Sequence, residues 1–180
     1  MMGESVAERV MKSAYLETMT LVERLHRRFL DIVRIELERL GEEDINNVQS
    51  LILFHMGDED MSVGELTARG YYLGTNVSYN LKKLVEAGYV GQRNSERDRR
   101  TVRVFLTEKG EDLRARLDGA FAAHAGLIEA RGIETEALTD AAATIHRLGR
   151  IFNEVAARPA PEAPARLRDR PFVPRLAAAF

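Results

Sequence analysis

A chain of 180 residues, 45% hydrophobic and 30% charged, is long enough for one well-cored domain and too short for two large ones. It has no apolar run near the roughly 18 residues that span a bilayer, no basic start and apolar core of a signal peptide in MMGESVAERV, and no cysteine for disulfides, thiolate metal sites or nucleophilic catalysis. A cytoplasmic location is therefore the default expectation. A net charge of −2 is not that of a general nucleic-acid coat protein, and its distribution matters more than its sum.

From Val6 to Leu40, apolar residues recur at three- and four-residue steps (Val10, Ala14, Val22, Leu25, Phe29, Ile32, Leu37), and Gly41 ends the pattern. A helix of this length runs about 50 Å at about 1.5 Å per residue, more than one small domain needs to cover its own core. A second helix is expected over Ile45 to Met56, capped by Asp44 and ended near Gly57. Ser62-Val63-Gly64-Glu65 then has the spacing of a capping box before Leu66. Gly70 and Gly74 interrupt the helical pattern, and Thr75 is placed to cap a further helix that runs through Leu84 and Val85 to Gly88. Tyr89-Val90-Gly91 and residues 101–106 read as strands on either side of the loop RNSERDRR.

Helix, turn, helix and two strands around a basic loop is the order of a winged helix-turn-helix, whose second helix and wing touch DNA. After Thr107 a helix with the stripe Leu113, Leu117, Phe121, Ala125 and Ile128 is expected to end near Gly132, and Glu134 to Ala157 gives a last one. The terminal helices carry more apolar surface than a single winged helix buries, which points to a partner copy. All five prolines fall between Pro159 and Pro174, so residues 158–180 read as a tail. Its end, PFVPRLAAAF, is apolar enough either to pack on the dimer or to bind another protein.

Charge is polarised along the chain. Arg69 to Arg103 holds eight basic residues against three acidic ones, a local excess of five positive charges, whereas Glu42, Glu43, Asp44, Asp58, Glu59 and Asp60 lie just before it. Such a map suits a protein that presents one face to phosphate. On the second helix of the motif, Thr75, Asn76, Ser78, Tyr79, Lys82 and Lys83 form the outer side, and Val77, Leu81, Leu84 and Val85 the inner. Asn76 is suited to an adenine edge, Thr75 and Tyr79 to a thymine methyl or a phosphate, and the two lysines to phosphate. In the wing, Arg93, Arg97, Arg99, Arg100 and Arg103 crowd into 11 residues. Arg97 or Arg99 is the candidate for minor-groove insertion, with Asp98 orienting a neighbouring arginine, Arg100 first. Ser62 and Arg69 are candidate phosphate contacts.

No Walker A, GxGxxG, GxSxG or HExxH motif is present, which argues against an enzyme. His26, His55, His124 and His146 are widely spaced, so neither a metal site nor a cofactor is expected.

The run Asp98-Arg99-Arg100, a short strand, and then Leu106-Thr107-Glu108-Lys109-Gly110 resemble the signature of MarR-family transcriptional regulators. The upstream pattern from Glu65-Leu66 through Val77-Ser78 and Leu84 to Gly88-Tyr89-Val90 is similar to the same family, although GYYLG at 70–74 is more aromatic than the usual turn. The resemblance covers residues 62–110 by motif and roughly 10–155 by architecture. It implies a mainly α fold with a small β-wing, dimerised through long N- and C-terminal helices. It also implies a pocket for a small hydrophobic or aromatic effector between the dimer helices and the winged lobe, with Tyr15, Met19, Phe29, Phe54, Met56, Tyr71 and Tyr72 as candidate lining. The absence of cysteine excludes the peroxide sensing of some relatives.

The organisation expected is a dimerisation helix (1–41), a DNA-binding lobe (42–107), C-terminal dimerisation helices (108–157) and the Pro-rich tail (158–180). The function expected is a homodimeric repressor on a pseudo-palindromic site in double-stranded DNA, relieved by a small-molecule ligand and without a membrane partner. The alternative is a winged-helix module that binds protein.

Overall fold

The computed structural model describes residues 5–57, 59–70, 74–95 and 101–158, without the side chains of residues 69, 70, 74 and 75. The chain divides into two compact units, Met1–Gly126 and Leu127–Phe180. The expected Pro-rich tail lies, apart from Arg158, outside the described residues, as do Tyr71 and Tyr72.

Helix α1 spans Val6–Leu40. Ser5 and Glu8 close a reciprocal capping box at its start, with Ser5 N–H donating to Glu8 Oε2 at 2.6 Å and Glu8 N–H to Ser5 Oγ at 3.2 Å. Gly41 ends it in the left-handed conformation, at φ 74°. Only Val33, Glu36 and Leu37 of α1 are buried.

Helix α2 is Asn47–Met56, two residues shorter at its start than expected. The cap is Asn46 rather than Asp44: Asn46 Oδ1 accepts from Gln49 N–H at 2.9 Å, and Gln49 Oε1 accepts from Asn46 N–H at 3.0 Å. Ile45 goes into the core instead of starting the helix. The freed Asp44 reaches Tyr89 and Lys109.

Strand β1 (Met61–Ser62), helix α3 (Val63–Gly70), helix α4 (Gly74–Glu86), strand β2 (Val90–Asn94) and strand β3 (Val102–Leu106) follow. The expected capping box forms, with Ser62 N–H donating to Glu65 Oε2 at 2.6 Å and Glu65 N–H to Ser62 Oγ at 3.2 Å. Three expectations are corrected. Strand β1 was not anticipated, because Ser62 serves both as a cap and as a strand residue opposite Arg103. Helix α4 begins at Gly74, so Thr75 lies in its first turn and not at its cap. The wing is a longer ribbon than expected: Arg93 and Asn94 belong to β2 and pair with Arg103 and Val102. The strand order is β1-β3-β2, all antiparallel.

The core of the first unit joins Val33 and Leu37 of α1, Ile52, Leu53 and Met56 of α2, and Leu66 of α3. Val77, Leu81 and Leu84 of α4, Val90 and Val104 of the ribbon, and Tyr89 complete it with Leu113 and Leu117. The last two come from α5 (Glu108–Ala130). Phe121 of α5 stacks edge-on to Phe54 at 5.1 Å between centroids and tilts against Phe29 at 5.7 Å, binding α1, α2 and α5 together.

In the second unit, α6 (Thr135–Ala157) has no buried residue in the single chain, and Leu138, Ile145, Ile151, Phe152 and Val155 are exposed. No described helix is long and apolar enough to cross a membrane.

Candidate nucleic-acid interface

Helix α4 sorts its residues by face. Val77, Leu81 and Leu84 are buried against α2 and α3, which fixes the helix's rotation. Asn76, Ser78, Tyr79, Lys82 and Lys83 are exposed, and Tyr79 keeps 64% of its surface in solvent. This is the partition expected for a helix that offers short polar groups and cations to a groove. Lys83 Nζ lies 2.7 Å from Glu86 Oε2 and Lys82 Nζ 3.9 Å from Glu86 Oε1, so one carboxylate orients both ammonium groups along the helix. Such exposed pairs are weak and yield readily to phosphate. The Thr75 and Arg69 side chains lie outside the described atoms, and Ser62 is committed to its capping box.

The wing's arginines divide into two groups. Arg97, Asp98, Arg99 and Arg100 lie outside the described residues. Ser95 N–H donates to the Thr101 carbonyl at 2.9 Å, which closes the described end of the ribbon. Arg93 and Arg103 stand opposite each other one pair from the loop end of the ribbon. Arg93 pairs with the Asp60 carboxylate, and its guanidinium sits 5.6 Å from the Phe105 ring centre. Arg103 donates to the Asp60 carbonyl and lies 3.8 Å from Glu65 Oε2.

A second polar junction lies where α4 gives way to the wing. Tyr89 is fully buried, yet its hydroxyl meets two carboxylates, Glu42 Oε2 at 2.7 Å and Asp44 Oδ1. Lys109 Nζ donates to Asp44 Oδ2 at 2.7 Å and to the Ala87 carbonyl at 3.1 Å, and sits 3.9 Å from the Tyr89 ring centre. Arg116 donates to Glu42 Oε1 at 2.6 Å and to the Leu40 carbonyl at 2.5 Å. The loop after α1, the start of the wing and α5 are thereby joined through one set of charges. Burial first, then Asp44 and Glu42, push the phenol of Tyr89 well above its usual range.

This junction was not anticipated from the sequence, which marked Glu42 as part of an acidic stretch and Asp44 as part of that stretch and as a helix cap. The one local signal was Lys109, inside the LTEKG motif. The acidic stretch is therefore partly neutralised from within, and the basic face of the lobe is less opposed than the linear charge count suggested.

The Asp44 carboxyl is held below its ordinary range, first by the hydrogen bond from Lys109 and then by that from Tyr89. A carboxylate lowered in the folded state adds stability that is present above its unfolded value and lost as pH falls through the lowered one. Asp44→Asn is therefore expected to flatten the loss of stability below about pH 4. Urea midpoints measured across that range check this, and parallel slopes for variant and parent would count against it.

The winged-helix DNA-binding domain family matches residues 45–110, the span from Ile45 to Gly110 that holds α4 and the wing. The exopolysaccharide II synthesis transcriptional activator ExpG of Rhizobium meliloti (strain 1021) is 38% identical over 142 residues, covering 79% of this chain and 73% of that protein. Among solved structures, FabT of Streptococcus pneumoniae in complex with DNA superposes with a TM-score of 0.61 at 20% identity, over 78% of this chain and 99% of that one. MarR of Staphylococcus aureus in complex with salicylate and kanamycin superposes with a TM-score of 0.64 at 19% identity, over 80% and 95%. The chain belongs to the MarR family of transcriptional regulators. It is a DNA-binding regulator and not an enzyme.

Within this MarR-family chain, the residues expected to line an effector pocket are only partly brought together. Phe29 and Phe54 share Phe121, whereas Met56 is enclosed by the core, and Tyr15 and Met19 lie further up α1, away from that aromatic group. A cavity of about 470 Å³ opens instead at the end of α1, bordered by Arg34, Leu37, Glu42, Glu43, Ile45 and Asn46. His124 Nε2 lies 3.2 Å from Glu36 Oε1, and desolvation lowers the His55 imidazole's affinity for a proton. Among the described residues no group of three or more His, Asp or Glu could hold a metal ion.

Proposed function

We propose that this regulator acts in the cytoplasm as a homodimeric repressor of a pseudo-palindromic operator, relieved by a small hydrophobic or aromatic effector. The observation that carries the reading is the exposed face of α4, with Asn76, Ser78, Tyr79, Lys82 and Lys83 on a rotation set by buried Val77, Leu81 and Leu84. In this reading Thr75, Asn76, Ser78 and Tyr79 enter the major groove, and Lys82 and Lys83 contact phosphate. Arg97 or Arg99 enters the minor groove, Asp98 orients Arg100, and Arg93, Arg103, Ser62 and Arg69 lie near the backbone. Residues 1–41 and 108–157 join the two copies, residues 42–107 read the DNA, and residues 158–180 form a separate tail. The apolar faces left exposed on α1 and α6 support the dimer.

Asn76→Ala is expected to weaken binding to the operator by roughly 5- to 150-fold, equal to about 1–3 kcal/mol for one base contact, with little change on a random duplex. Lys82→Ala is expected to weaken both alike and to reduce the salt slope by about one. Fluorescence anisotropy on the chain's own upstream DNA and on a scrambled duplex, at two salt concentrations, measures both effects. Weak, equal, salt-insensitive binding to the two duplexes would instead favour a winged helix that binds protein.

Activation is a second reading, and one observation favours it: the relative at 38% identity is named a transcriptional activator. Transcription in vitro from the operator-bearing promoter decides the sign, falling with added protein for a repressor and rising for an activator. The bound salicylate of the S. aureus MarR structure supports an aromatic acid as the class of effector. Titration with such acids should lower DNA affinity, because a ligand that favours a different lobe spacing draws the dimer away from half-sites about one helical turn apart. Unchanged affinity and melting temperature would remove those ligands from the reading.

A further inference from the structure

We propose that Asp60 is a positioning residue for DNA recognition: it ties the two opposed arginines of the wing, Arg93 and Arg103, to the start of the helix-turn-helix. The inference rests on the operator-binding reading for its functional consequence, but its structural basis is independent of it.

Arg93 and Arg103 face each other across β2 and β3. Two like charges at directly opposed positions repel, and an uncompensated pair would weaken the ribbon at that point. Asp60 compensates both with different atoms: its carboxylate pairs with Arg93, and its carbonyl accepts from Arg103. The carboxylate oxygen facing Arg93 is shielded from solvent and has no other hydrogen-bond partner among the described residues, so its pairing with Arg93 is what compensates it.

Glu65 extends the tie. It closes the capping box of α3 with Ser62 and stands 3.8 Å from Arg103. Asp60 directly precedes β1, which pairs with β3 through Met61 and Ser62. One short segment, 60–65, therefore holds the wing on one side and starts the first helix of the DNA-reading motif on the other. Wing and recognition helix can reach two grooves of one duplex only if their mutual angle is fixed, and this segment is placed to fix it. Asp60 is also an acid placed beside a surface that must meet phosphate, and it occupies the two guanidinium groups that could otherwise bind DNA in any register.

The test uses the full chain and its Asp60→Asn variant, which keeps the shape and the backbone carbonyl and removes the charge. Amide hydrogen exchange reads the tie directly. Exchange across Val90–Asn94 and Val102–Leu106 should quicken by about tenfold while α2 and α5 stay unchanged. Anisotropy reads the consequence. The ratio of operator to scrambled-duplex affinity should fall about tenfold, with scrambled binding equal or tighter because the released Arg93 keeps its charge. Asp60→Ala should behave as Asp60→Asn does.

Unchanged exchange in the ribbon would overturn the proposal. So would a uniform rise in exchange with both affinities falling together, since that marks a merely structural residue. A parent protein with no operator preference would sink the operator reading, and the exchange pattern would still decide whether Asp60 holds the wing.

Discussion

Gly110→Ala is expected to cost about 3 kcal/mol and to lower the thermal midpoint by roughly 10 °C. A Cβ at Gly110 would overlap the carbonyl oxygen of Tyr89, which is backbone and already accepts from Thr107 N–H at 3.1 Å. The neighbourhood cannot yield cheaply. Thr107 Oγ1 is held by the Gly88 carbonyl at 2.6 Å and accepts from Gly110 N–H at 3.2 Å, so a shift of Tyr89 opens the first turn of α5 as well. Gly119→Ala supplies the control on the same helix. A Cβ there meets nothing within 4 Å, and the change should be neutral or stabilise by up to about 1 kcal/mol through helix propensity. Calorimetry on both variants checks the pair, and equal midpoints would contradict the account of the Tyr89 contact.

The double variant Leu25→Glu and Ile151→Glu is expected to reduce operator affinity by on the order of 10²-fold or more while leaving the fold of the winged lobe intact. Leu25 and Ile151 are 69% and 51% exposed in the single chain, so neither supports the core of its own unit. If two copies cover those faces, four buried carboxylates per dimer would separate them. Each lobe would then bind its half-site alone and lose the gain from a tethered second site. Sedimentation should show the parent at twice the monomer mass and the variant at the monomer mass. A parent that sediments as a monomer, or a variant that still dimerises and binds as before, would remove these faces from the dimer reading.

The parts of the fold that were legible in the sequence share one property: their signals are local. Helix α1 was bounded at both ends because its apolar period ran unbroken to Gly41, and the capping box at Ser62 because both partners lie within four residues. The buried side of α4 followed from Val77, Leu81 and Leu84 in the same way. Errors came where a distant partner outweighed the local pattern. Asp44 is a good cap by composition, but Tyr89 and Lys109, 45 and 65 residues away, claim its carboxylate, and Asn46 takes the cap. Gln92, Arg93 and Asn94 carry little strand propensity, and it is the ladder with β3 that makes them a strand. Of the candidate site, the outward residues of α4 were legible from helical spacing. The restraint of Arg93 and Arg103 was not, because Asp60 lies 33 and 43 residues upstream and reads in isolation as one of a run of surface acids.

From Val6 to Phe29 no residue of α1 is buried. A segment of that kind spans roughly 36 Å at about 1.5 Å per residue, and most of a helix's stability comes from the packing of its apolar face rather than from propensity. On the dimer reading its helicity is then a matter of mass action. At high concentration the arm is paired and folded, and on dilution it frays from the N-terminus while the winged lobe stays whole. Far-ultraviolet ellipticity per residue would rise with concentration until pairing saturates, and the amount of regulator in the cell would be registered in the folding of its own N-terminal arm.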